Sequence, residues 1–233
     1  MRTQLRLDEA LDDTPQLRSL LKLFEEDSGN LRQWCRALDS ALVRLTTAQT
    51  EIAAATAHLS AVVAAYQDQR LPLEQTELDM PDVTGRLTQT IGEVGSWMEV
   101  ASQQLSNSVV FPVRRLLTEL DQLHNVHKPM FHDCRTALTD AEERFAKAGR
   151  KDAPRKLEEV NNDVFLAKQN FHQAALVYYS HLNGLQFLRY THVVEPLLAL
   201  VYAFRSFFTT GHEGLKVNEV TSYLTRTQEQ VQR

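Results

Sequence analysis

The sequence predicts an all-α fold: an elongated bundle of three long bent helices with a short fourth at the C-terminus. Three observations carry that expectation. Glycine (8) and proline (7) are scarce in 233 residues, which disfavours loop-rich and all-β chains. No β-hairpin pattern interrupts the chain. Apolar residues recur at seven-residue intervals over stretches far longer than an ordinary globular helix.

The first helix is expected over about residues 14–70, after a loose, acidic segment at 1–13. Asp13 or Thr14 supplies the N-cap, and Pro15 suits the first turn, where its missing N–H would have no partner anyway. Only Gly29 intervenes before Leu71-Pro72, and about 55 helical residues reach roughly 80 Å. Leu17, Phe24, Leu31, Leu38, Leu45, Ile52, Leu59 and Tyr66 keep a strict heptad. A companion seam of Leu20, Trp34, Ala41, Ala48, Ala55 and Val62 is broken once, at Asp27. A third stripe (Leu21, Cys35, Leu42, Val63) widens the apolar face, so more than one helix packs here. The small residues of the companion seam allow a close approach.

A proline-bearing connector at 71–82 leads into a second helix over about 83–148, with Leu87, Ile91, Val94, Met98, Ala101 and Leu105 as its stripe. Pro112 and Pro129 fall inside helical pattern and read as bends, with a true break at Pro129 as the competing reading. The turn "GRKDAP" opens a third helix over about 154–210. Leu157, Val164, Phe171, Tyr178 and Leu185 form one of its seams; Val160, Ala167, Ala174 and Leu188 form the other. Pro196 bends this helix, Gly211 or Gly214 ends it, and a fourth helix covers about 213–232. The whole chain reads as a single domain.

Function must explain the run Val193–Glu213, apolar or aromatic throughout between Pro196 and Arg205. Leu197 to Phe204 is too short for a membrane span, which needs about 20 residues. Helices of this length extend beyond any compact globule of about 20 Å radius, which favours a second copy as the partner of the apolar surface; the alternative is that these aromatics fill the chain's own core. Tyr178, Leu182, Leu185, Leu188, Leu197, Leu198, Val201, Phe204, Phe207 and Phe208 are the expected dimer contacts. Bends at Pro112, Pro129 and Pro196 would make that dimer a crescent.

The net charge of −5 disfavours nucleic acid as partner. Arg144, Lys147, Arg150, Lys151, Arg155 and Lys156 nevertheless cluster at the turn between the second and third helices. This basic tip is the candidate contact with anionic lipid, at about 1 kcal/mol per cation. A solvated turn beside Glu142, Glu143, Glu158 and Glu159 is the plainer alternative.

The sequence carries no catalytic or cofactor motif. There is no phosphate-binding glycine loop, nucleophile elbow or HExxH. His124, His127, His132, Asp133 and Cys134 are the one metal-like grouping, but their spacing lacks the paired ligands of a zinc site. The expectation is a non-enzyme without metal or cofactor. Cys35 and Cys134 lie far apart and read as reduced cytosolic thiols, and the acidic N-terminal region has no signal-peptide character.

Five stretches, "LDDTPQLRSLLKLFEED" (11–27), "AQTEIAAAT" (48–56), "QRLPLE" (69–74), "FPV" (111–113) and "LNGLQFLRYTHVVEPLLALVYAFRSFFTTGHE" (182–213), together resemble the BAR domain of the APPL family of endosomal adaptors. Related ArfGAP proteins with BAR and PH domains share a similar beginning and ending. The resemblance implies a crescent-shaped antiparallel homodimer, sensing or scaffolding of curved membranes, residence on early endosomes and recruitment by a Rab-type GTPase. In that family the GTPase surface also involves a PH domain, which would begin where this chain stops. A coiled-coil dimerisation scaffold without lipid contact is the alternative reading.

Overall fold

Thr14 opens the first helix as expected: its hydroxyl accepts the Leu17 N–H at 3.2 Å, and α1 runs Pro15–Ala65. The computed structural model describes residues 4–7, 14–66, 69, 80–148, 153–216 and 218–232, without side chains for 80–82, 218 and 219. The expected connector at 71–82 lies almost wholly outside them. The helix ends earlier than its heptads suggest, with Tyr66 in a 3-10 turn. The N-terminal segment is not uniformly loose, since Leu5 is buried. Its N–H donates to Asn183 Oδ1 at 2.9 Å, and Asn183 Nδ2 donates to its carbonyl at 2.7 Å.

The second helix is continuous from Met80 to Lys147 and is distorted twice. α2 (Met80–Leu105) passes through a π turn at Ser106–Val110 into α3 (Phe111–Gln122). A second π turn at Leu123–His127 leads into α4 (Lys128–Lys147). The N–H groups of Phe111 and Lys128, each the residue before a proline, reach the carbonyls of Ser106 and Leu123. A helical proline has no N–H, and its ring crowds the carbonyl four residues back. For Pro112 and Pro129 those carbonyls lie inside the two π turns, where one extra residue per turn relieves the crowding. Pro129 therefore does not interrupt the helix.

α5 (Pro154–Lys216) carries Pro196 with no π turn, and α6 (Asn218–Val231) follows. Neither Gly211 nor Gly214 ends α5, contrary to expectation, because neither takes the left-handed conformation of a helix stop. Gly214 instead gives room to a neighbour: a Cβ there would overlap the Trp97 ring.

The chain divides into two compact units, Met1–Ala37 with Arg114–Val193, and Leu38–Val113 with Val194–Arg233. The first unit is centred on Phe131, whose ring lies 5.2 Å from Tyr178 and 5.7 Å from both Phe171 and Tyr179. Leu17, Leu21, Phe24, Leu123 and Leu182 close this core, and Cys35, Leu116 and Leu120 form a smaller cluster. In the second unit Leu42, Leu105, Val109, Val110, Val113 and Ala203 form the core. There α1 and α2 approach closely across Gly92 and Gly95, fastened by Thr50–Ser102 (2.8 Å) and by the Ser60 hydroxyl donating to Thr88 O (2.9 Å). Tyr223 returns α6 to α2, donating to Val83 O at 3.0 Å beneath Arg86.

Candidate interaction surfaces

The heptad stripes of α1 differ sharply in their use. The third stripe is buried at Leu21, Cys35 and Leu42, each at most 5% exposed, and half-buried at Val63, while the principal seam is buried only at its start, at Leu17 and Phe24. Burial pushes the Cys35 thiol up to about 11, so it stays protonated, and both cysteines are free. Beyond Leu20, which is half-buried against the first core, the companion seam lies open, with Trp34, Ala41, Ala48, Ala55 and Val62 exposed, joined by Ile52 and Leu59 from the principal seam. Sequence periodicity located all three stripes but not which one the chain itself would cover.

The break in the companion seam has a partner. Asp27 accepts two hydrogen bonds from Arg189, at 2.8 and 2.9 Å, and another from Gln186. A polar group at such a position fixes the register of packed helices, here of α1 against α5.

Two of the ten expected dimer contacts are corrected. Tyr178 and Leu182 are each 1% exposed in the chain's own core, and a side chain enclosed there has no surface to offer a second copy. Leu185, Leu197, Phe204 and Phe207 are half-buried, whereas Leu188, Leu198, Val201 and Phe208 are exposed. The structure adds Phe187, Tyr190, Val194 and Tyr202, all exposed on α5. With Leu198 between Val194 and Tyr202 their spacing runs by threes and fours, but it competes in sequence with the buried stripe of the same helix. An 18-residue window of α5 is apolar enough by composition to cross a membrane, at mean hydropathy 1.3, and only 11% of it is buried within the chain. Toward its end, Phe207, Phe208, Gly211 and Leu215 face Val94 and Trp97 of α2 around a cavity of about 410 Å³, rimmed by His212 and Lys216.

The basic tip is only partly described, since Arg150 and Lys151 lie outside the described residues. Three of its other cations sit beside carboxylates: Arg144 with Asp163 (3.4 Å), Lys147 with Glu143 (3.2 Å) and Arg155 with Glu159 (3.3 Å). All six side chains are more than half exposed, and such surface pairs exchange readily with other ions. Lys156 is exposed on the first turn of α5. Sequence reading passed over Phe145, 48% exposed among these cations.

The histidine grouping is dispersed. His124 Nε2 lies 3.3 Å from the Ser28 hydroxyl, His127 stacks on His181 at 4.1 Å, and His132 sits 3.7 Å from Glu25. Among the described residues no three of His, Cys, Asp or Glu gather to hold a metal ion. Glu25 is instead the centre of a polar network, accepting from Tyr178 (2.8 Å) and Lys128 (2.9 Å). Burial first, then the charge of Glu25, pushes the Tyr178 hydroxyl above its ordinary range, which keeps it a donor.

Residues 5–233 match a family model described as the BAR domain of the APPL family. DCC-interacting protein 13-alpha of Homo sapiens is 33% identical over 217 residues, which cover 91% of this chain and 30% of that protein. DCC-interacting protein 13-beta of the same species is 30% identical over 239 residues, covering 98% and 34% respectively. The chain thus spans about a third of the length of these relatives. Among solved structures the amphiphysin BAR domain from Drosophila superposes with a TM-score of 0.67 at 15% identity, covering 98% of this chain and 96% of that one; that likeness concerns the fold.

Proposed function

This chain belongs to the BAR domains of the APPL family, and from that premise we propose that it is a homodimerising module that senses or scaffolds curved anionic membranes. One observation carries the reading: the companion seam of α1 and the outer stripe of α5 are apolar, periodic and uncovered within the chain. Surfaces of this kind mark protein or membrane contacts. A heptad seam of small residues suits a helix from a second copy. The cations of the α4–α5 hairpin then supply the lipid contact.

The family further supports a setting on early endosomes and cooperation with a Rab-type GTPase. Both belong to the reading of a larger protein in which this module is one part, as it is about a third of its relatives' length. The ion pairs of Arg144, Lys147 and Arg155 favour one alternative, a dimerisation scaffold whose hairpin stays in water.

Vesicle co-sedimentation across a salt series separates the two. It compares the wild type with a variant carrying Lys147→Glu, Arg150→Glu and Lys151→Glu. Salt-sensitive binding that the variant loses is the expected result, with about tenfold weaker association for each 1.4 kcal/mol removed. Equal, negligible sedimentation of both proteins would establish the scaffold reading instead.

A further inference from the structure

Phe145 belongs by spacing to the inward stripe of α4, following Phe131, Cys134, Leu138 and Ala141 at alternating intervals of three and four. The stripe is still shut at Ala141, 1% exposed, yet Phe145 one turn later is 48% exposed. It stands two residues before the end of α4, between Arg144 and Lys147, and Arg155 and Lys156 follow Pro154 in the first turn of α5. The carboxylates beside Arg144, Lys147 and Arg155 weaken what these cations offer to an anionic surface on their own. A phenyl ring among long, exposed cations matches the layered chemistry of a bilayer interface, where apolar groups enter the acyl boundary and the cations reach back to phosphate. We propose that the end of the α4–α5 hairpin docks on anionic bilayers by inserting Phe145, with the surrounding cations exchanging their carboxylate partners for lipid phosphate.

The inference rests on the membrane-binding reading above, and its test can fail separately from that reading. Wild type, Phe145→Ala, Phe145→Leu and Phe165→Ala are compared by co-sedimentation with phosphatidylcholine vesicles containing phosphatidylserine, after circular dichroism has verified equal helicity. Phe165 is a control, 67% exposed on the flank of α5. Phe145→Ala should weaken binding about tenfold, as expected for one phenyl ring withdrawn from an apolar environment. Phe145→Leu should fall between it and the wild type, and Phe165→Ala should bind as the wild type does. A second readout is Phe145→Trp in a chain that also carries Trp34→Phe and Trp97→Phe, with a blue-shifted emission expected on vesicles. Undiminished binding by Phe145→Ala, or an unshifted emission of the Phe145→Trp variant on bound protein, overturns insertion while leaving membrane binding intact. A larger loss in Phe165→Ala than in Phe145→Ala overturns it in favour of the flank. A wild type that sediments with no vesicle overturns both readings.

Discussion

His124 and His127 lie on the second π turn, where burial decides their chemistry. Desolvation is the largest influence holding His124 below its ordinary range, reinforced by Arg32 and Lys128 and opposed by Ser28 and Glu25. His127 is held down by desolvation and then by His181, stacked on it from α5. The charged neighbours of His124 are Arg32 and Glu25 from α1 and Lys128 from α4. Because the folded chain holds these two imidazoles less basic than the unfolded chain does, unfolding takes up protons as the pH falls. Their stabilising effect is complete above about pH 6.5, the ordinary histidine value, and is lost as the pH falls through the depressed folded values. Thermal melts should show the midpoint falling with acidification below that pH, and His127→Gln should flatten the fall. Parallel curves for wild type and variant would mean that the His127–His181 stack has no part in it. Nothing in sequence pairs these residues: His127 and His181 belong to different helices, and only packing stacks them.

At the scale of the helix, the sequence exposed the periodic framework and hid its punctuation. Pro112 and Pro129 were legible as disturbances of one long helix, whereas the π turns preceding them were not, since an extra residue in a turn leaves no composition signal. Glycine misled in the opposite sense. Gly214 carries the usual mark of a helix end, yet α5 runs on to Lys216 and the missing Cβ leaves room for the Trp97 ring instead. A double-mutant cycle tests this account. Gly214→Ala should destabilise the wild type, since the added methyl forces the indole aside. In a Trp97→Ala background the same change should stabilise by up to about 1 kcal/mol, the helix-propensity difference between the two residues. A Gly214→Ala effect of the same sign and size in both backgrounds would mean that the glycine is not there for Trp97. Chemical denaturation gives both numbers, and the coupling is their difference.

For the whole molecule, heptads announced that apolar surface would meet helices, but a seam looks the same in sequence whether its partner is in the chain or outside it. Tyr178 and Leu182 show the consequence: assigned to an interface by their place in an aromatic run, they close the chain's own core. Ile52 on α1 and Val201 on α5 are the complementary case, 53% and 64% exposed although each lies on an apolar stripe. A carboxylate at either position meets only water in an isolated chain and is enclosed without a partner in a dimer. Ile52→Glu and Val201→Glu should therefore weaken self-association by 100-fold or more, an order of magnitude for each 1.4 kcal/mol, while leaving helicity unchanged. Sedimentation equilibrium measures the first and circular dichroism the second. Membrane binding should fall with dimerisation even though the hairpin cations and Phe145 are untouched, because a dimer presents two hairpin ends and a monomer one. Linked sites commonly raise apparent affinity by about 10²–10⁴ without any new contact. Monomeric variants that bind vesicles as tightly as the wild type would mean that one hairpin end suffices. Variants that remain dimeric would remove these stripes from the interface and require another surface to join the two copies.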